Sequence, residues 1–92
     1  MKPFTLLYTA EAKTRIRHLH PTIKQEIRVA LEELKENPWI GKRLQRELTG
    51  LFSLRVRNYR ILYWINVEKR QIEILTLGPR KTVYDDFLAK QK

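Results

Sequence analysis

The hydrophobic positions at the start of the chain change from a strand pattern to a helical one. Residues 3–8 carry apolar side chains on both alternating sets of positions, which predicts a short and well-covered strand. Thr9 is suited to cap a helix after it, and His20-Pro21 should end that helix, because the residue before a proline is disfavoured in the α conformation. Between them, apolar residues recur at helical spacing at Ala12, Ile16 and Leu19.

The next segment carries the clearest helical pattern of the chain. Thr22 with Gln25 fits a capping box, and Asn37-Pro38 should stop the helix. Its apolar stripe consists of Ile23, Ile27, Ala30, Leu31 and Leu34. The two helices predict an αα-hairpin whose apolar face must be covered by the strands of the chain.

Residues 39–44 show no clear period, and we expect Trp39 and Leu44 there to close one edge of the core. Residues 51–57 then alternate. One face of this strand should hold Phe52, Leu54 and Val56, and the other should hold Ser53, Arg55 and Arg57.

The last third of the chain predicts two more strands and a short helix. Residues 60–66 are apolar on both sides, as in a central strand, and residues 71–77 follow a polar turn. Gly78-Pro79 should break that strand, residues 82–88 should form one or two helical turns, and residues 89–92 should fray.

The predicted fold class is therefore α+β. An N-terminal strand and an αα-hairpin precede an antiparallel three- to four-stranded meander and a short C-terminal helix. We expect the helices on one face of the sheet and the arginines on the other. A length of 92 residues fits one domain, spanning residues 1–92.

Charge and cysteine content narrow the possible functions. Lysine and arginine number 19 against 10 acids, for a formal net charge of +9 and a pI of about 10.2, which favours a polyanionic partner such as RNA. A basic surface without a specific partner is the alternative. The absence of cysteine excludes disulfides, thiolate nucleophiles and sulfur-ligated zinc. No segment approaches the roughly 20 apolar residues that span a bilayer, so the expected location is the cytoplasm.

Basic side chains gather at the ends of the predicted strands. Arginine makes bidentate contacts with phosphate and keeps its charge at any working pH. It is a poor proton carrier for the same reason, so RNA cleavage there would need a tyrosine, histidine or lysine as acid or base. His18 and His20 are two residues apart on a helix and point in different directions, which argues against a two-histidine site. The candidate residues are Arg55, Arg57, Arg60, Arg80, Lys81 and Tyr84.

The simpler structural interpretation keeps all of these residues out of catalysis. Tyr84 would then only pack its ring over the sheet edge, and the arginines would be solvated residues at strand ends. No metal-ligand cluster, glycine-rich phosphate loop or Ser/His/Asp set favours another enzyme class, and no cofactor is expected.

Three stretches, in order and spacing, resemble the RelE/ParE superfamily of bacterial and archaeal type II toxins along almost the full chain. They are Asn37-Pro38 with residues 41–44, Gly50-Leu51 with residues 54–63, and residues 78–84, which read Gly-Pro-Arg-Lys-Thr-Val-Tyr. The RelE branch implies an mRNA interferase that enters the ribosomal A site and cuts the message by attack of a 2′-hydroxyl on the adjacent phosphate.

The resemblance also implies residue roles. Arg60 would stabilise the transition-state phosphate, Arg80 would lie near the leaving group, and Tyr84 would orient or deprotonate the nucleophile. Arg55 resembles the strand arginine that supports this pocket, and Arg57 and Lys81 are the further residues expected to bind RNA.

The chain departs from the RelE pattern at one strand, where Leu51 and Ser53 stand in place of two lysines of well-known members. Two alternatives therefore remain open: a ParE-like inhibitor of DNA gyrase that cuts nothing, and an inactivated toxin that only binds RNA. The ParE branch generally lacks the terminal arginine and tyrosine, so Arg80 with Tyr84 favours RelE. The partners implied are the ribosome, mRNA and a cognate acidic or amphipathic antitoxin, in an oligomer with the toxin.

Overall fold

The computed structural model describes residues 3–90, which form a five-stranded sheet and three helices. The strands are β1 (Thr5–Tyr8), β2 (Lys42–Arg43), β3 (Phe52–Val56), β4 (Tyr59–Asn66) and β5 (Gln71–Pro79). The helices are α1 (Ala10–Arg17), α2 (Pro21–Glu36) and α3 (Val83–Lys90), and short 3-10 turns lie at Pro38–Ile40 and Arg46–Leu48. None of the helices in this range is long and apolar enough to cross a bilayer.

The sheet has the order β1-β5-β4-β3-β2. β1 runs parallel to β5, and all other neighbours are antiparallel, so β2 to β5 form the predicted meander. The predicted α+β class is confirmed. β2 was not predicted as a strand, because two residues are too few to show an alternation.

Helix α1 covers the part of β5 that β1 leaves open. β1 ends at Tyr8, opposite Ile74, so the following carbonyl groups of β5 have no strand partner on that side. Thr9 Oγ1 donates to the Leu75 carbonyl at 2.6 Å, and Arg15 Nη1 donates to the Leu77 carbonyl at 3.1 Å. The carbonyl groups at this edge of the sheet therefore receive hydrogen bonds from side chains of α1 and its cap.

The caps of the helices differ in part from the sequence prediction. Thr9 caps α1 as expected, accepting from the Ala12 amide at 3.1 Å. α1 ends at Arg17, before the predicted stop, and Leu19 packs against the core from the connection. The predicted capping box at Thr22 is wrong: His20 caps α2, because Pro21 takes the first helical position and the His20 ring accepts from the Thr22 amide at 3.2 Å.

The core lies between α2 and one face of the sheet, which we call the α2 face. The buried stripe of α2 meets the alternating residues Phe52, Ile61, Tyr63, Ile72, Ile74 and Leu77. Tyr63 is fully buried, and its hydroxyl donates to the Pro38 carbonyl at 2.8 Å and accepts from the Gly41 amide at 3.1 Å. Burial raises the pKa of Tyr63 to about 12, against the opposing effect of the Gly41 hydrogen bond.

Trp39 and Leu44 lie at the edge of this core. The Trp39 ring packs edge-on against Phe52, with centroids 5.8 Å apart, and remains 48% exposed. Leu44 is half-buried.

The C-terminal part corrects two predictions. Gly78 and Pro79 do not break β5 but pair with Arg60 and Tyr59 of β4, because the proline falls at the last position of the strand. Helix α3 then runs to Lys90, so residues 89 and 90 are helical rather than frayed. The prediction of a frayed end at residues 91–92 lies outside the described range.

Helix α3 lies on the sheet face opposite α2, which we call the α3 face, so the expectation of helices on one face holds only for α1 and α2. A Cβ atom at Gly78 would come within 3.4 Å of Val83 Cγ2, which shows how closely α3 approaches β5. Val83 is fully buried, as are Leu62, Thr76 and Ser53 beneath this layer.

Candidate nucleic-acid interface

A row of paired residues crosses the α3 face near the end of the sheet. Arg55 lies opposite Arg60 in the register of β3 and β4, and Arg60 lies opposite Gly78 of β5. Residues directly opposite in a sheet share a face. The register therefore places two guanidinium groups on the face that α3 partly covers.

Arg60 and Tyr84 are in direct contact. The guanidinium carbon of Arg60 lies 5.7 Å from the centre of the Tyr84 ring, in cation–π geometry. Arg60 Nη1 also donates to Ser53 Oγ at 3.4 Å. Both Arg60 and Tyr84 are half-buried, so the ring and the buried hydroxyl limit the orientations open to the guanidinium.

Arg80 and Lys81 lie in the turn that joins β5 to α3, and both are exposed. The Arg80 amide donates to the Asn58 carbonyl at 2.6 Å, which fixes this turn against the β3–β4 turn. With Pro79, Asn58 and Thr82, these residues line a shallow depression of about 480 Å³. Arg80 follows Gly78 by two residues, so its backbone lies beside the row that contains Arg60.

Arg57 is directed away from this group. It lies in the β3–β4 turn with a φ of 55°, where the strand alternation no longer holds. Its Nε forms an ion pair with the Glu26 carboxylate of α2, and its carbonyl accepts from Arg55 Nε at 3.0 Å. The expectation that Arg57 shares a face with Ser53 and Arg55 is therefore wrong, because the turn rotates its side chain towards α2.

A lysine that was not among the predicted site residues lines the same cleft as Tyr84. Lys42 of β2 is directly opposite Ser53 of β3, which places it on the α3 face. Lys42 and Arg43 line a cleft of about 350 Å³ whose other walls include Leu48 and Tyr84. The pairing of β2 with β3 brings residues 42 and 53 together, and no local pattern could have indicated it.

The two positions that depart from the RelE pattern have structural roles here. Ser53 is 2% exposed and accepts the hydrogen bond of Arg60. Leu51 lines a groove of about 940 Å³ together with Leu75, Phe87 and Leu88. Neither position carries a charge, and the cations beside Ser53 come from neighbouring strands, Lys42 from β2 and Arg60 from β4.

Helix α3, which carries Tyr84, is tied to the rest of the molecule through Glu11. The Glu11 carboxylate accepts from Lys90 Nζ at 2.6 Å and from Thr76 Oγ1 at 2.5 Å, and Arg15 Nε lies 3.6 Å away. Burial alone would raise the pKa of Glu11, but the hydrogen bonds and charges of these partners outweigh it and lower the pKa. Asp85 and Asp86 are exposed in the first turn of α3, where carboxylates meet the positive end of the helix dipole.

Taken together, fold and site define a small α+β protein with a basic sheet face on which a C-terminal helix places a tyrosine against an arginine. Residues 6–84 match the family described as the ParE toxin of the type II toxin–antitoxin system parDE. The chain is also 36% identical to toxin RelG of Mycobacterium tuberculosis over 84 residues, or 89% of this chain and 97% of that protein. The protein therefore belongs to the RelE/ParE superfamily of type II toxins, as its sequence motifs indicated.

Solved structures agree with this assignment. The RelBE2 toxin–antitoxin complex of M. tuberculosis superimposes with a TM-score of 0.77 at 36% identity, covering 85% of this chain and 99% of the matched chain. A double arginine-to-alanine mutant of E. coli RelE in the free state gives a TM-score of 0.76 at 23% identity and covers 98% of each chain. The second likeness shows the fold alone.

Proposed function

We propose that this toxin is a ribosome-dependent, metal-independent endoribonuclease that cleaves mRNA by attack of a 2′-hydroxyl on the adjacent phosphate. The observation that carries the proposal is the contact between the Arg60 guanidinium and the Tyr84 ring beside a cleft lined by Lys42. A fixed cation, a phenol and an ammonium group are the kinds of group that this reaction needs.

The proposed reaction assigns one task to each group. Tyr84 orients the 2′-hydroxyl and, as a phenolate, accepts its proton while the 2′-oxygen forms a bond to phosphorus. Arg60 stabilises the negative charge that develops on the phosphoryl oxygens. The bond to the 5′-oxygen then breaks, with Arg80 near that oxygen and Lys42 as the candidate donor of its proton. The products are a 2′,3′-cyclic phosphate and a 5′-hydroxyl.

The remaining predicted residues have binding roles in this proposal. Arg55 lies opposite Arg60 and extends the positive charge along the α3 face, and Lys81 adds charge beside Arg80. Arg57, which is paired with Glu26, contributes at the margin of the RNA path. Six of these seven residues were candidates from the sequence, and Lys42 was found through the pairing of β2 with β3.

The decisive experiment compares two substitutions with a matched control. Tyr84→Phe keeps the ring that contacts Arg60 but removes the hydroxyl, and Arg80→Ala removes an exposed guanidinium without touching the core. Each should lower message cleavage on translating ribosomes by about 100-fold or more, the usual scale for losing a proton-transfer group or a charge contact. Lys69 is an exposed lysine of the β4–β5 turn. The control variant Lys69→Ala should cleave message at the parental rate.

The measurement is primer extension on message from translating ribosomes, with the ends of the products analysed chemically. If Tyr84→Phe and Arg80→Ala cut at the parental rate, the catalytic assignment is wrong. Products ending in a 3′-hydroxyl and a 5′-phosphate would contradict 2′-hydroxyl attack.

A second candidate is a gyrase inhibitor, which the matched ParE family favours. It predicts that the purified toxin blocks DNA supercoiling and traps cleaved DNA without touching RNA. The third is an inactive toxin that only binds RNA, favoured by the uncharged Leu51 and Ser53. Salt-sensitive ribosome binding without any cleavage would identify it.

We further propose that a cognate antitoxin binds this toxin and covers its basic α3 face in the cytoplasm, where translating ribosomes are found. The mycobacterial neighbour is itself a toxin–antitoxin complex, and a net charge of +9 suits an acidic or amphipathic partner. Co-expression with the protein encoded beside it should yield a stable hetero-oligomer and suppress growth arrest. Failure of that protein to bind the toxin would contradict this pairing.

A further inference from the structure

A second basic region lies between the two helices of the hairpin. Lys13 and Arg17 are one turn apart on α1, and Lys24 and Arg28 are one turn apart on α2. All four side chains line one cleft of about 380 Å³. The cleft thus has two positive charges on each wall.

The arrangement is costly to the fold, because like charges four residues apart on a helix repel each other. The same helices neutralise other cations, through the pairs Arg15 with Glu11 and Lys35 with Glu32. Among residues 3–90, none of the four cleft cations has an acidic side chain within ion-pair distance. Lys24 Nζ instead donates to the Arg17 carbonyl at 3.3 Å, which holds its charge against the end of α1.

The floor of the cleft is formed by the half-buried Tyr8 of β1 and Ile16 of α1 and by the buried Leu31 of α2. Burial, and then the charge of Glu32, raise the pKa of Tyr8, so its phenol remains a neutral donor at physiological pH. Glu32 itself is engaged by Lys35. The site offers four positive charges and hydrogen-bond donors, and Tyr8, the aromatic residue that lines it, is half-buried.

We propose that this cleft binds the phosphate backbone of structured ribosomal RNA while the α3 face holds the message. This inference rests on the proposed function, because a toxin that cuts message on the ribosome would hold two RNA segments at once, the message on the α3 face and ribosomal RNA in the cleft. The cleft belongs to the α2 side of the sheet and Arg60 with Tyr84 to the other, and the shortest dimension of the molecule is 22 Å. A cluster of lysines and arginines without acidic partners favours contact with a phosphate backbone, independent of sequence.

The test measures binding of the purified toxin to vacant ribosomes, which carry no message to cleave, at several salt concentrations. Arg17→Gln with Lys24→Gln removes one charge from each wall. This pair should weaken binding by about tenfold or more and make the slope of log Kd against log salt shallower by about 2, one for each lost phosphate contact. Lys35→Gln with Lys69→Gln removes the same charge elsewhere and should leave the slope unchanged.

Parental affinity and slope in the cleft variant would overturn the proposal, and so would an equal loss in the control pair. Thermal melting checks that the variant is folded, and Lys13→Gln with Arg28→Gln provides a second pair if the first is not. Reduced affinity for the antitoxin with unchanged ribosome binding would also overturn it, since the cleft would then serve a protein partner. If the unsubstituted toxin binds vacant ribosomes through the cleft but never cuts message, the proposed nuclease function is contradicted and this inference is not.

Discussion

Lys42 and Ser53 show how a single strand pairing changes the chemistry of a site. Ser53 is buried beneath Arg60 and carries no charge. Lys42 lies directly opposite on β2 and lines the cleft that includes Tyr84. A positive charge therefore reaches the α3 face from the neighbouring strand.

The role of Lys42 is testable by comparing two substitutions. Lys42→Met keeps the apolar stem of the side chain but removes the charge, and it should lower message cleavage by about 10- to 100-fold, because a cation near the scissile phosphate is lost. Lys42→Arg should restore the positive charge that stabilises the transition state. It should not restore the proton donor, because a guanidinium group keeps its proton at any working pH. Cleavage rates from single-turnover reactions on programmed ribosomes would check both. If Lys42→Met cleaves message at the parental rate, Lys42 is not part of the catalytic site.

The Tyr63 hydroxyl joins the meander to the connection after α2. Tyr63→Phe should lower the free energy of unfolding by about 1–3 kcal/mol, because it leaves the buried Gly41 amide and Pro38 carbonyl without their partner. Urea titrations at neutral pH would measure this, with Tyr59→Phe as the control at a half-buried position.

Tyr63 also predicts a loss of stability in alkali. The pKa of Tyr63 rises from 10.0 to about 12 on folding, so the folded state holds this proton more tightly than the unfolded state. Its contribution is complete below pH 10 and is lost as the pH rises through 12. The difference in free energy of unfolding between the parent and Tyr63→Phe should therefore narrow over that range. A difference that stays constant would contradict this role of Tyr63.

At the level of elements, Glu11 connects α1, β5 and α3. Its carboxylate binds Thr76 of β5 and Lys90 of α3, and it lies beside Arg15 of its own helix. α3 carries the residue proposed as catalytic base, so its position depends on this junction.

Glu11→Gln should destabilise the protein by about 1 kcal/mol at pH 7, because it weakens a charge-assisted hydrogen bond at a partly buried site. The pKa of Glu11 is lower in the folded state than its ordinary 4.5. Its contribution is thus present above pH 4.5 and is lost as the pH falls through the lowered value. Thermal melts from pH 7 to pH 3 should show that the difference in Tm between Glu11→Gln and the parent disappears in acid. Glu33→Gln, at an exposed position of α2, should show no such trend.

Elements with a strong period were predictable from the sequence, and the others were not. The stripe of α2 and the alternation of β3 to β5 each depend on neighbours within a few residues. β2 has two residues, and β5 continues through Gly78-Pro79 because β4 pairs with it there. The capping of α2 by His20 rather than Thr22 was decided by a proline at the first helical position.

At the level of the whole molecule, one core joins the hairpin to the sheet and should make unfolding cooperative. Trp39 packs against Phe52 near the core, whereas Trp64 lies on the α3 face with its indole nitrogen 2.7 Å from Glu73 Oε1. Trp39→Phe and Trp64→Phe each leave a single tryptophan to report on one side of the sheet. Fluorescence and far-UV circular dichroism should give coincident urea midpoints in both variants. Separate midpoints would show that the two faces unfold independently.

The sequence by itself determined the order of the elements other than β2, the α+β class, the excess of positive charge and the motifs of the RelE/ParE superfamily. These depend on composition and on short-range spacing. The tertiary structure alone decided that Arg60 contacts Tyr84, that Lys42 faces Ser53, that Arg57 turns to Glu26, and that four cations meet between α1 and α2. Each of these contacts is made where separate segments pack or pair, and the register and packing that create them are set by the shared core rather than by any local pattern.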